Sequence, residues 1–391
     1  MRIGISCYPT FGGSGVVATE LAMALASAGD EVHVLSYALP SRLALVSPNL
    51  FFHEVVVPHY PLFEYPPYSL ALASKMAEVA RFQRLDLLHV HYAVPNAISA
   101  ILARLIVAPR PLPVVTTLHG TDVTLIGNDP SYLETTRWAV ISSDAVTAVS
   151  QWLRKKTIEQ LCVEETPIEV IPNFIEPERF EAVRHLPGAR RWAKPGEKIL
   201  IHVSNFRPVK RVMDVLEVYL RVREKMPARL LFLGDGPDRA KVEARCREVG
   251  CCDGVVFLGN HPAVEEILHG ADLFLLPSAG ESFGLAALEA LSCEVPVIAA
   301  DAGGVPEVIE EGVDGLLFPV GDVDAMARGA IELLADPERH RAFARHGRER
   351  AVTRFSEAAI VARYRALYER VLAGEGARAA AAPAGALPGP R

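Results

Sequence analysis

The chain has 391 residues, half of them apolar and 22% charged, with a formal net charge of −7 and an isoelectric point near 6.0. Its length suggests two domains of roughly 170–200 residues each, and the acidic balance argues against a dedicated nucleic-acid binder, which carries a basic excess. No apolar run approaches the roughly 20 residues of a membrane-spanning helix. Met1-Arg2 leads into an apolar strand without a secretory signal layout. The six cysteines show no C-x-x-C spacing, which fits free thiols of a reducing compartment. A cytoplasmic protein is expected.

The first half alternates strands with helices. An apolar strand over 2–8 runs into Gly12-Gly13-Ser14-Gly15 and a helix over 16–28, whose Val17, Leu21, Leu25 and Ala28 share a face and whose end is capped by Gly29. Strand 31–35, helix 70–84, strand 87–91, helix 95–107, strand 114–118, helix 132–142 and strand 145–149 follow. Such alternation predicts a parallel sheet covered on both faces.

The second half repeats the scheme. Strand 198–203, helix 212–225 and strand 229–233 lead to Gly234-Asp235-Gly236-Pro237. Helix 239–248, strand 254–258, helix 263–269, strand 273–276, helix 284–291 and strand 295–299 come next. The stretch 173–195 holds three prolines without sustained periodicity and marks the seam. Beyond Phe318 the pattern turns helical over 325–334, 339–350 and 356–372, and an Ala/Gly/Pro-rich tail over 374–391 is expected to be disordered. The predicted fold class is α/β, with two doubly wound Rossmann-like domains over 1–173 and 195–355. The helix 356–372 is expected to complete the first, and ligands are expected in a cleft at the carboxyl ends of the strands.

Candidate chemistry gathers at those strand ends. Glycines at 12, 13 and 15 let backbone approach a phosphate or sugar, but the spacing is not that of a nicotinamide site. His119 and Asp122 follow the strand 114–118, where they can bond sugar hydroxyls or steady charge near an anomeric carbon. His89 and His91 share one face of their strand, with Tyr92 just beyond; no third ligand at fitting spacing appears, so no metal site is assigned. After the strand 198–203 come Asn205, Arg207, Lys210 and Arg211, a cationic loop suited to a diphosphate. Glu281 and Glu289, eight apart and flanking the start of a helix, lie near a helix N-terminus whose amides can hold phosphate, and a carboxylate there suits a ribose diol.

These motifs resemble the family 4 retaining glycosyltransferases of the GT-B fold over nearly the whole chain. Glu281 to Glu289 matches that family's E-x7-E motif, while Ile171-Pro172-Asn173, Gly234-Asp235-Gly236-Pro237 and Gly303-Gly304-Val305-Pro306-Glu307 stand in its order. The resemblance implies that Glu281 faces the donor sugar, Glu289 binds the ribose, and Arg207 and Lys210 bind the diphosphate. Gly13, Asn205, Phe283 and Gly284 are expected to complete the donor site, and His119 to contact the sugar.

A narrower resemblance rests on Cys7-Tyr8-Pro9, Tyr65-Pro66-Pro67-Tyr68, His89-Val90-His91-Tyr92-Ala93, Thr117-Leu118-His119-Gly120-Thr121-Asp122 and His202-Val203-Ser204-Asn205-Phe206-Arg207. It points to family members that join N-acetylglucosamine from its UDP donor to the hydroxyl of L-malate, the first step of bacillithiol biosynthesis. It implies Ser14, Tyr92, Thr117 and Asp122 as acceptor residues, no metal and no further cofactor. No nucleic-acid partner and no membrane insertion are expected; a homodimer is compatible with the sequence but not dictated by it. The alternatives are a family member glycosylating a lipid or other acceptor, a UDP-sugar 2-epimerase of the same architecture, and a binding module without turnover.

Overall fold

The computed structural model describes residues 1–375 except Phe11, Val46, Arg184, His185 and the side chain of Ala182; the tail expected to be disordered lies, from 376 on, outside the described residues. Two compact units divide the chain: Met1–Pro172 with the segment from Ile360, and Asn173–Ala359.

The first unit is built on a seven-stranded sheet. Its strands are β1 (Arg2–Ser6), β2 (Glu31–Ser36), β3 (Leu50–Glu54), β4 (Leu87–His91), β5 (Val114–Leu118), β6 (Ala145–Ala148) and β7 (Ile168–Val170). They lie in the order β3-β2-β1-β4-β5-β6-β7. Every pairing is parallel, with Ile5 opposite Val34 on one side and His89 on the other. Ile3, Ile5, Leu87, Leu88 and Val90 are fully buried, as strands covered by helices on both faces require.

The second unit carries β8 (Lys198–Val203), β9 (Ala228–Leu233), β10 (Val255–Gly259), β11 (Leu273–Leu276), β12 (Val297–Ala300) and β13 (Gly315–Phe318). Their order is β10-β9-β8-β11-β12-β13, again with every pairing parallel. Both sheets therefore reverse direction once, between β1 and β4 and between β8 and β11, and such a switch point is where doubly wound sheets bind ligands.

The last helix, Glu357–Leu372, supplies Ile360, Tyr364, Leu367, Tyr368 and Val371 to the core of the first unit, a spacing that places them on one stripe. Arg370 pairs with Glu169 at 2.6 Å and Arg365 with Asp30 at 3.3 Å.

Several elements depart from the sequence expectation. Strands β3, β7 and β13 were not predicted: β3 is a half-exposed edge strand and β7 has three residues, so neither shows a clear alternation. The helix Gln151–Leu161 buries only Leu153, Thr157 and Leu161 and is capped by Ser150, a stripe too narrow to stand out in a polar segment. The first helix spans Gly13–Ser27, so the glycine motif forms its first turn rather than a loop before it. The helix expected over 95–107 begins at Ile98, after an irregular turn at Ala93–Ala97. Among the described residues no helix is long and apolar enough to cross a membrane, and all six cysteines are free.

Candidate active site

At the switch point of the first sheet, β1 and the helix Gly13–Ser27 are joined by a tight passage. A Cβ on Gly15 would stand 2.6 Å from the carbonyl oxygens of both Tyr8 and Thr10, so the chain can turn there only on glycine. Gly13 is exposed and Ser14 half-buried in the first turn of the helix, whose amides favour an anion.

Beyond β4 the backbone is strained. Tyr92 has φ of +85°, which costs a bulky residue about 1–3 kcal/mol. Its amide donates to the Thr117 carbonyl at 3.0 Å, and Asn96 Nδ2 donates to the His91 carbonyl at 2.6 Å. The ring lies 5.7 Å from His119 in a stacked geometry and 5.3 Å from Tyr8 edge-on, and its hydroxyl lies 2.6 Å from Thr121 Oγ1. Tyr8, Tyr92 and His119 thus form an aromatic group at the ends of β1, β4 and β5.

Asp122 is fully buried beneath this group. Its carboxylate accepts from the amides of Gly120 at 2.8 Å, His119 at 3.2 Å and Ala93 at 3.4 Å. Burial raises its pKa to about 6 despite those bonds, since desolvation disfavours the charged form. Its oxygens tie the β4 and β5 ends together.

The three histidines are also buried, and burial lowers His89 and His119 to about 3 and His91 well below its ordinary value. All three are uncharged at neutral pH. His89 lies between Tyr368 Oη and Thr117 Oγ1, at 2.7 Å from each, while His91 Nδ1 lies 2.8 Å from His119 Nε2. Thr117 is sealed: besides His89 it meets Thr147 Oγ1 at 2.6 Å. Among the described residues no group of three or more His, Cys, Asp or Glu side chains is arranged to hold a metal.

At the matching point of the second sheet the side chains are charged. Ser204, just past β8, accepts from the Phe206 amide at 3.2 Å and lies 2.8 Å from His202 Nε2. The other ring nitrogen of His202 donates to the Leu275 carbonyl at 2.8 Å, and burial lowers its pKa to about 4. Phe206 and Arg211 adopt positive φ, so the loop between them is bent at both ends. Asn205 just before it and Arg207 on it are exposed, and among the described residues the Arg207 guanidinium meets no carboxylate. Lys210 Nζ contacts Glu281 Oε1 at 2.6 Å, and the two side chains keep 21% and 12% exposure. The Ala279 amide donates to the Val209 carbonyl at 2.8 Å, tying the two loops together.

Glu281 is held from behind by the turn after β12. Gly304 donates to the Glu281 carbonyl at 2.8 Å. Gly303 has φ of +66°, and a Cβ there would fall 1.9 Å from that oxygen, so only glycine fits. Gly284 caps the helix Leu285–Ser292. Glu289 is buried inside that helix, and Phe283 is core, edge-on to Phe355 at 5.7 Å.

The structure thus groups Ser14, Tyr92, His119 and Asp122 at one switch point, with Thr117 sealed below them. Asn205, Arg207, Lys210 and Glu281 gather at the other. Asn96, in the turn Ala93–Ala97 after β4, was not singled out in the sequence, and His202 and Ser204 stood there only inside a longer motif, without a role of their own.

Comparison with known proteins gives the family. Residues 11–179 match the model "Glycosyltransferase Family 4" and 189–350 the model "Glycosyl transferases group 1". The chain is 46% identical over 374 residues to N-acetyl-alpha-D-glucosaminyl L-malate synthase of Bacillus anthracis, covering 95% of this chain and 97% of that one. Among solved structures, sucrose-phosphate synthase of Thermosynechococcus elongatus superposes with a TM-score of 0.79 at 22% identity, covering 96% and 100% of the two chains. Anabaena HepE in complex with UDP-glucose gives 0.76 at 20%, covering 94% and 99%; at such identities these two likenesses speak for the fold. The two doubly wound sheets, the charged and neutral strand ends and the relatives converge: the chain is a glycosyltransferase of the GT-B fold and belongs to glycosyltransferase family 4.

Proposed function

We propose that the protein moves N-acetylglucosamine from UDP-N-acetylglucosamine to the hydroxyl of L-malate with retention at the anomeric carbon, the first step of bacillithiol biosynthesis, in the cytoplasm. The observation that carries this reading is the likeness, along nearly the whole chain, to the Bacillus anthracis enzyme. The charged strand ends of the second unit support the donor half of it. Arg207 would bind the diphosphate through its fork and Lys210 as a point charge, Glu281 would orient the sugar and hold Lys210 in place, and Glu289 would take the ribose. In the first unit Ser14 and Tyr92 would hold malate, with Gly13 beside the phosphates, His119 against the sugar, and Asp122 and Thr117 acting from beneath by fixing the strand ends.

The chemistry is a front-face substitution. The bond from the anomeric carbon to the UDP oxygen breaks, a phosphate oxygen takes the malate hydroxyl proton, and that hydroxyl forms the new bond on the same face. Charge neutralisation of the leaving phosphate by Arg207 and Lys210 is the main electrostatic contribution, and fixed placement of the acceptor supplies the rest. No protein nucleophile and no metal ion enters the scheme.

The test is UDP release from UDP-N-acetylglucosamine by the purified protein, with and without L-malate, with a mass spectrum of the product. Malate-dependent release with the mass of a glucosaminyl malate is expected. Release only with another acceptor would move the assignment within the family, and conversion of the donor without any acceptor would make the protein an epimerase.

A further inference from the structure

Three uncharged histidines stand in a row at the ends of β4 and β5, and the surroundings of the row dictate where its protons sit. Both ring nitrogens of His89 have partners, Tyr368 and Thr117. His91 has one partner, His119, while its Nε2 is sealed from solvent with no hydrogen-bond partner among the described residues. His119 meets His91 through Nε2, and its Nδ1 is neither sealed nor bonded among the described residues. Stacking on Tyr92 fixes the plane of the His119 ring, and thereby the direction in which Nδ1 points.

A single proton lies between His91 Nδ1 and His119 Nε2. If His119 supplied it, His91 would have to carry its own proton on the sealed Nε2, a buried N–H with nothing to receive it. Orphaned buried N–H groups are rarer in folded proteins than under-satisfied acceptors. If His91 supplies it, the sealed atom is a bare lone pair and His119 keeps its proton on Nδ1. A charged ring is no third choice, because burial holds both residues neutral at working pH.

We propose that His91 is a positioning residue: it donates from Nδ1 to His119 Nε2 and so locks His119 in the tautomer that offers an N–H, not a lone pair, to a bound ligand. The functional consequence rests on the reading of His119 as a contact to the transferred sugar. In that role His119 donates to a sugar hydroxyl or to the acetamido carbonyl, and it is not the base that takes the acceptor proton. The orientation of one ring is thereby encoded by another that touches no substrate.

The full chain labelled with 15N in histidine tests this through two-bond 1H–15N correlation at neutral pH, with His119→Asn to assign the signals. The expected result is a protonated Nδ1 and an unprotonated Nε2 on His119; a protonated Nε2 overturns the proposal. In His91→Leu the tautomers of His119 should mix and kcat fall about tenfold, the worth of one hydrogen bond. His91→Gln keeps an amide donor and should restore both the tautomer and most of kcat. Equal loss in the two variants with the His119 signals unchanged would mark His91 as packing alone and also overturn the proposal. The resonances are read without substrate. A protein that releases no UDP therefore fails the functional reading and leaves the tautomer standing, whereas malate-dependent turnover with the opposite tautomer fails the proposal alone.

Discussion

The two switch points are made by the same topology and filled with opposite chemistry. In the second unit a loop bent at Phe206 and Arg211 presents an exposed Arg207 and a Lys210–Glu281 pair, all charged and within reach of solvent. In the first unit the matching strand ends carry uncharged histidines, a buried carboxyl and two tyrosines bound to one another. A parallel sheet brings side chains to one edge, but the residues that follow each strand decide whether that edge neutralises charge or fixes geometry. Fold alone does not assign function for this reason.

Breaking the charged half should give the largest effect. Lys210→Ala removes the cation held by Glu281 and should lower the rate of UDP release about 100- to 1,000-fold, with an unchanged melting temperature; a near-normal rate would remove Lys210 from the chemistry. Next comes the support behind Glu281. Gly303→Ala sets a methyl against the Glu281 carbonyl at a positive φ and should cost about 1–3 kcal/mol of stability as well as turnover, measured by denaturant unfolding and UDP release on the same samples.

The neutral half is sharpened by pH. Burial raises Asp122 from an ordinary value of 3.8 to about 6, so the folded state binds its proton more tightly than the unfolded state. Its stabilising contribution is complete below about pH 4 and is lost as pH rises through 6. Asp122→Asn, which does not ionise, should therefore gain on the unaltered protein by roughly 1 kcal/mol between about pH 5 and pH 7, whatever its offset at either end. A constant difference in unfolding free energy across that range would contradict the shift. The smallest effect on turnover is expected of Tyr368→Phe, which leaves His89 Nδ1 buried without a partner and should cost about 1 kcal/mol of stability, seen in unfolding of the first unit.

The charged half was legible in the sequence because its residues are near neighbours along the chain or belong to a spaced motif: Arg207 and Lys210 in one loop, Glu281 and Glu289 across one helix start. The neutral half was legible only as positions. That His91 meets His119 depends on the register of β4 against β5, which pairs His91 with Thr117 and carries the next turn over the strand end. The same register sends Thr117 inward to His89 and Thr147, a direction that spacing does not reveal. Buried strands were read readily from continuous apolar runs, whereas the edge strand β3 was not, since it packs one face only and its residues Phe51 to Glu54 are at least partly exposed.

The bond between His89 and Tyr368 spans 279 residues. During synthesis all seven strands of the first sheet leave the ribosome before the segment from Ile360 exists, and until it arrives His89 has no partner for Nδ1 and the apolar stripe that meets Ile360, Tyr364 and Val371 stays uncovered. A fragment ending at Pro172 therefore lacks part of its own core, and expressing it alone should give an aggregating product rather than an independent domain. The unit that is translated first is the one that is completed last.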